Sequence, residues 1–219
     1  MPLYKYAFFD FDGTVCDTSE GIFNCAAYAM DKMGIEYDNS YDSMRRLIGP
    51  PLVCAFEEFF GLDRSDAEEA TANYRERYSD VGMFELKIYD GMEEILGKLT
   101  DAGVKLAIVS AKPEEYIKRI VKHFGLDKYF TVCVGPDFSD DHSSKTHLIS
   151  RAMKEYGVDN PDDAVMIGDR KFDLQSAAEL GIDGVGVSYG FGSVEELESC
   201  NPVLIAKTSY EICDYILGE

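Results

Sequence analysis

The chain has 219 residues, 46% hydrophobic and 28% charged, a composition that can bury a sizeable core as one domain or as a core with a modest insertion. Its formal net charge of −20 is spread along the sequence rather than gathered in a tail, and a field of that sign disfavours nucleic acid, whose binding leans on Lys and Arg. No apolar run approaches the roughly 18 residues of a membrane span, no cleavable leader pattern follows Lys5, and the six cysteines form no C-x-x-C. The expectation is a cytoplasmic protein with reduced thiols, no zinc site and no membrane contact.

In chain order, Tyr4 to Phe9 reads as a buried strand that ends in two aspartates, Asp10 and Asp12, followed by Gly13 and Thr14. A helical block follows. Thr18 to Met33 carries apolar residues at helical spacing and stops at Gly34. Tyr41 to Leu47 and Leu52 to Phe60 are two further helices separated by Gly49-Pro50-Pro51, and Ser65 to Tyr78 is a fourth, with Ser65 as its N-cap. From Asp90 the pattern alternates. Helices are predicted over Gly91 to Ala102, Pro113 to Phe124, Lys145 to Tyr156, Asp173 to Leu180 and Tyr210 to Leu217. Strands are predicted over Val104 to Val109, Thr131 to Val134, Ala164 to Ile167, Gly184 to Val187 and Val203 to Ala206. Short apolar strands alternating with helices imply an α/β, Rossmann-like parallel sheet with helices on both faces. Residues 1–16 and 88–219 are therefore read as the α/β core and residues 17–87 as a small all-helical cap inserted after the first strand.

In such sheets ligands bind beyond the carboxyl ends of the strands, and the chemistry-bearing residues here all follow strands. A carboxylate pair at a buried strand end is costly unless a cation or proton compensates it. By itself Asp-x-Asp-Gly is equally a strand followed by an acidic turn. Ser110, after the strand that ends at Val109, has a hydroxyl beside the amides of a helix opening at Pro113, which outlines a phosphate site but also describes an ordinary N-cap. Lys145 opens a helix, where its charge opposes the helix dipole. Gly168-Asp169 follows a buried strand with Asp173 four residues on, a pattern shared with loops that cap helices. Gly186 to Gly192 is Gly-rich and follows a strand, a weak phosphate-loop signal that reads rather as a turn lining the mouth of the cleft. His123, His142 and His147 lack metal-ligand spacing and read as surface or capping residues.

The run Phe9-Asp-Phe-Asp-Gly-Thr-Val-Cys-Asp-Thr18 resembles the first motif of the haloacid dehalogenase superfamily, and within it the phosphoglycolate phosphatase type. Three further motifs of that family follow in order at Ser110, Lys145 and Gly168-Asp169 to Asp173. The resemblance implies a phosphatase acting on a small phosphorylated metabolite through an aspartyl-phosphate. Asp10 is the implied nucleophile and Asp12 the acid/base. Mg²⁺ is implied on the Asp10 carboxylate, the Asp12 backbone carbonyl and Asp169, with Asp173 in support; oxygen-only ligands suit that ion. Ser110, the Ala111 backbone N–H and Lys145 are implied to hold the phosphoryl group. Ala111 stands where many relatives carry Asn, so only its backbone serves. Arg45 and Arg46, in the cap, read equally as two solvated arginines or as a pair of which one meets a second anionic group of the substrate.

Rival readings remain at this level. Asp12 argues against a haloacid dehalogenase, which lacks the second aspartate, and nothing marks Lys32 as the Schiff-base lysine of a phosphonate hydrolase. A β-phosphoglucomutase shares the core motifs, although Gly49-Pro50-Pro51 resembles the phosphoglycolate type more closely. A nucleoside 5′-monophosphate phosphatase and a phosphotyrosine phosphatase stay open, as does a non-enzymatic member that binds phosphate or a partner. The protein is expected to be a monomer or homodimer.

Overall fold

The computed structural model describes residues 1–138 and 143–219, which leaves His142 outside the described residues. The chain divides into two compact units, one of Met1–Asp17 with Ile88–Glu219 and the other Thr18–Lys87. It opens with strand β1 (Tyr6–Phe9) and the short strand β2 (Cys16–Asp17). The predicted start at Tyr4 is two residues early. Tyr4 is buried, but its hydroxyl donates to Asp183 (2.7 Å), while the Lys5 N–H donates to the Asp163 carbonyl (2.8 Å) outside the ladder.

The second unit holds α1 (Ser19–Met33), α2 (Tyr41–Met44), α3 (Leu52–Phe60) and α4 (Arg64–Tyr78). Helix α1 packs on α4, and α3 also packs on α4. The buried stripe of α1 (Ile22, Cys25, Ala26, Ala29, Met30) is the one its spacing predicts. Two boundaries differ from the sequence reading. Arg45–Leu47 forms a 3₁₀ turn rather than continuing α2. Asp63, not Ser65, caps α4: its carboxylate accepts the Asp66 N–H at 2.9 Å, and an aspartate earlier in the chain ends the extended run first. Arg77 closes this unit on itself through a two-pronged ion pair to Glu85 at 2.7 and 2.8 Å.

Strand β3 (Lys87–Ile88) spans the boundary, and the first unit continues with α5 (Met92–Asp101), β4 (Lys105–Val109), α6 (Glu114–His123), β5 (Phe130–Val134), α7 (Lys145–Tyr156), β6 (Ala164–Gly168), α8 (Lys171–Glu179), β7 (Asp183–Val187), α9 (Val194–Glu198), β8 (Leu204–Ala206) and α10 (Ser209–Leu217). Helix α9 has no counterpart in the sequence reading. It is short and three of its five residues are glutamate, so the apolar period carries little; Ser193 caps it by accepting the Glu196 N–H at 3.1 Å. Strands β2 and β3 form a separate two-stranded sheet.

Six strands make one parallel sheet in the order β5-β4-β1-β6-β7-β8, with helices on both faces. β1 lies between β4 and β6, with Phe9 level with Ile108 on one side and Ile167 on the other. Ala7, Phe8 and Phe9 are fully buried, as a strand covered on both faces requires. Phe8 sits in a cluster with Val109, Val134, Leu148, Ile149 and Met166, which ties α7 to the middle of the sheet. Phe8→Ala is expected to cost about 3–5 kcal/mol in chemical denaturation, whereas Phe172→Ala, at a half-exposed ring, is expected to stay within about 0.5 kcal/mol. Equal losses at the two positions would contradict this account of the core.

Candidate active site

Strand order decides which residues meet. The Asp10 N–H still belongs to the ladder, donating to the Ile167 carbonyl at 2.8 Å, so its side chain leaves the sheet level with Gly168 and Val109. Asp10, Ser110 and Asp169 thus emerge side by side from the carboxyl ends of β1, β4 and β6, where the strand order reverses. After Phe11 the chain winds into a tight turn in which the Val15 and Cys16 N–H groups both donate to the Phe11 carbonyl at 3.1 Å. Gly13 adopts φ +82° there, and a Cβ on it would stand 2.1 Å from Asp169 Oδ2.

Four carboxylates crowd this edge. Asp10, Asp169 and Asp173 each offer an oxygen, all three within 4.8 Å of one another and all buried. Asp12 stands beside them with its Oδ1 buried. Two ammonium groups answer them. Lys145 donates from Nζ to Asp10 Oδ1 at 2.8 Å and to the Val109 carbonyl at 3.0 Å, and forms an ion pair with Asp173 Oδ1 at 2.8 Å. Burial alone would lower the Lys145 pKa, but Asp10 and Asp173 outweigh it and hold the group above its ordinary value. Lys145 occupies the first position of α7, where Ser144 accepts the His147 N–H at 3.2 Å. The helix start is thus supported by its cap, and the lysine is held by the carboxylates. Lys112 places Nζ 3.1 Å from Asp12 Oδ1.

Asp169 is fully buried. Its Oδ2 accepts the Phe191 N–H at 2.7 Å, and its Oδ1 has no hydrogen-bond partner among the described residues. Burial, then the charges of Asp10 and Asp173, push its pKa well above the ordinary value. Asp173 is raised too, mainly by burial and against the pull of Lys145; its Oδ2 accepts the Arg170 N–H at 3.2 Å at the start of α8. With all four aspartates ionised, the two lysines leave two negative charges. An orphaned buried oxygen, an oxygen-only donor set and that residual charge fit a hard divalent cation.

The Gly-rich segment after β7 is more than a turn. Gly190 packs so closely on Asp169 that a Cβ would stand 2.3 Å from the Asp169 Cβ, and Phe191 between Gly190 and Gly192 supplies the amide to Oδ2. The Tyr189 hydroxyl donates to the Thr14 carbonyl at 3.1 Å, joining this segment to the turn after β1. Ser110 is buried and its Oγ accepts the Lys112 N–H at 3.3 Å; Ala111 is exposed on the same turn. Helix α6 begins at Glu114, with Pro113 preceding it. Arg45 and Arg46 belong to the helical unit, with Arg45 over the Tyr41 ring (6.0 Å) and Arg46 over Phe59 (5.6 Å). His123 and His147 are exposed. Sequence reasoning passed over Lys112 and Phe191. The Ser-x-Lys-Pro spacing was a usable signal for the first; the second acts through a backbone amide, which leaves no mark in the sequence.

Residues 7–187 match the profile of the haloacid dehalogenase-like hydrolases. The chain belongs to that family. It is 34% identical over 199 residues to a 5′-nucleotidase from Pseudomonas aeruginosa, spanning 91% of this chain and 89% of the relative. It is similar to the crystal structure of a candidate phosphatase from Clostridium difficile, with 35% identity, a TM-score of 0.92 and coverage of 99% of this chain and 100% of the other. A candidate phosphoglycolate phosphatase from Lactobacillus delbrueckii is 26% identical with a TM-score of 0.88, covering 100% of both chains. No described helix is long and apolar enough to cross a membrane.

The raised pKa of Asp169 sets a sign that can be measured. A carboxyl that titrates higher in the folded state costs stability as pH rises from its ordinary value of 3.8 through the raised one. In EDTA, Asp169→Asn keeps the acceptor for Phe191 and removes the charge, so at pH 7 it is expected to exceed the wild type by more than about 1 kcal/mol in urea unfolding. The gap is expected to narrow toward pH 4.5, roughly the ordinary carboxyl range. A variant less stable than the wild type at pH 7 in EDTA would show that the charge is already compensated within the protein.

Proposed function

We propose that this phosphatase of the haloacid dehalogenase-like hydrolases cleaves small phosphate monoesters with Mg²⁺ as cofactor and Asp10 as nucleophile. The supporting observation is the unequal treatment of two neighbouring aspartates. Asp10 has one oxygen clamped by Lys145 and lies within the oxygen-only cluster, whereas Asp12 lies outside that cluster beside Lys112. A nucleophile must stay ionised and aimed; an acid/base must exchange a proton with its surroundings.

In the first step an Asp10 oxygen forms a bond to phosphorus as the ester P–O bond breaks, and Asp12 gives its proton to the departing alkoxide. In the second, Asp12 removes a proton from a water whose oxygen bonds to phosphorus, and the bond from phosphorus to Asp10 breaks to restore the carboxylate. The Ser110 hydroxyl and the Ala111 N–H orient the phosphoryl oxygens, and Lys145 balances charge on Asp10 throughout. Asp10, the Asp12 backbone carbonyl and Asp169 would hold Mg²⁺, with Asp173 supporting them through Lys145; the ion would neutralise phosphoryl oxygens. Phosphate monoesters are among the slowest compounds to hydrolyse unaided, so positioning and fixed charge have the most to supply.

Two substrate readings have separate support. Gly49-Pro50-Pro51 in the helical unit resembles phosphoglycolate phosphatases, and the similarity to the Lactobacillus protein agrees with it. The identity shared with the Pseudomonas 5′-nucleotidase favours nucleoside 5′-monophosphates. Phosphate release from phosphoglycolate, a nucleoside 5′-monophosphate series and sugar phosphates ranks them by kcat/KM. EDTA is expected to abolish turnover and Mg²⁺ to restore it, and Asp10→Asn to lose at least about 10³-fold in kcat. Turnover by Asp10→Asn equal to the wild type, or no hydrolysis of any monoester with Mg²⁺ present, would reject the reading.

A further inference from the structure

Lys112 is a buried cation that the proposed chemistry does not use. Its side chain is 6% exposed, and burying an ammonium costs several kcal/mol unless it is paired. It is paired with Asp12, at 3.1 Å from Oδ1. Its backbone is held as firmly as its head group. The Lys112 N–H donates to Ser110 Oγ at 3.3 Å, and just beyond it the Glu114 N–H donates to the Pro136 carbonyl at 3.1 Å. The lysine therefore reaches Asp12 from a fixed turn at the end of the neighbouring strand.

The two oxygens of Asp12 are not equivalent. Oδ1 is buried and meets the ammonium as an ion pair without a hydrogen bond, while 18% of the side chain remains accessible. Lys145 performs the corresponding task for Asp10 and Asp173, so each aspartate of the first motif has its own lysine, carried on a different element. We propose that Lys112 is a positioning residue that holds Asp12 by Oδ1 so that Oδ2 carries the proton exchanged with the leaving alcohol and then with water. The inference rests on the phosphatase reading above and names a residue that reading leaves unassigned. In the step concerned, the ester P–O bond breaks, its electron pair stays on the departing oxygen, and the Oδ2 proton moves to that oxygen.

Leaving groups separate this role from a merely structural one. p-Nitrophenolate departs without a proton, whereas an alkoxide needs one. With enzyme in excess over substrate and Mg²⁺ present, Lys112→Met is expected to slow phosphoryl transfer from ethyl phosphate by at least about 10²-fold, but transfer from p-nitrophenyl phosphate by less than about tenfold. Lys112→Arg is expected to recover most of the loss, and Asp12→Asn to show the same leaving-group signature as Lys112→Met. Lys112→Gln provides the same comparison if the methionine variant does not fold by circular dichroism. Equal losses on both substrates would overturn the inference and move Lys112 to the phosphoryl group; so would no loss on either, or a signature in Asp12→Asn that Lys112→Met lacks. A wild type inactive on both esters would overturn the phosphatase reading and this inference with it.

Discussion

Crowding of negative charge at one edge of the sheet is the constraint on which the rest of the site depends. Asp10, Asp169 and Asp173 bring carboxylate oxygens within 4.8 Å of one another while being almost fully buried. Such a group cannot persist without nearby positive charge. The protein supplies part of it with Lys145, which is ion-paired to Asp10 and Asp173, and leaves Asp169 Oδ1 without a hydrogen-bond partner. The incomplete compensation leaves a cluster that could hold a metal ion.

The sheet makes that crowding possible. β1 lies between β4 and β6 in register, so three strands that are far apart in sequence end side by side. The apolar cluster around Phe8 fixes β1 in place, and the same cluster includes Leu148 and Ile149 of α7, the helix that begins with Lys145. The position of the lysine is thus tied to the core as well as to its carboxylate partners. On the other side, the segment around Gly190 closes on Asp169 tightly enough that a single added carbon would collide with it. Rigid packing on both sides aims charges that would otherwise repel one another apart.

Pairing each aspartate of the first motif with its own lysine gives the two residues different environments only two positions apart. Asp10 is bound into a network with Lys145 and Asp173, and Asp12 faces Lys112 from a more accessible position. The proposed two-step transfer calls for such a separation: one carboxylate fixed as the nucleophile, the other able to give up and regain a proton.

Much of this was legible in the chain. Strand and helix periods located all six strands of the main sheet and the larger helices, because burial on both faces demands continuous apolar runs. The aspartates after β1 and β6, Ser110 and Lys145 stood out because they fall in order on the motifs of the resembled family; alone, Ser110 reads equally as an ordinary N-cap and the aspartates as turn or cap residues. The cap of α4 at Asp63, the 3₁₀ turn at Arg45 and the short α9 were missed or misplaced, since neighbouring residues compete for such local roles on nearly equal terms. By itself, then, the sequence determined the fold class, the helical insertion and the identity of most charged groups at the strand ends. Only the tertiary structure decided which cation serves which carboxylate, that a backbone amide of Phe191 holds Asp169, and that one oxygen of Asp169 is left unmatched. Those pairings depend on distances of about 3 Å between residues remote in sequence, and on backbone groups that every residue type presents alike.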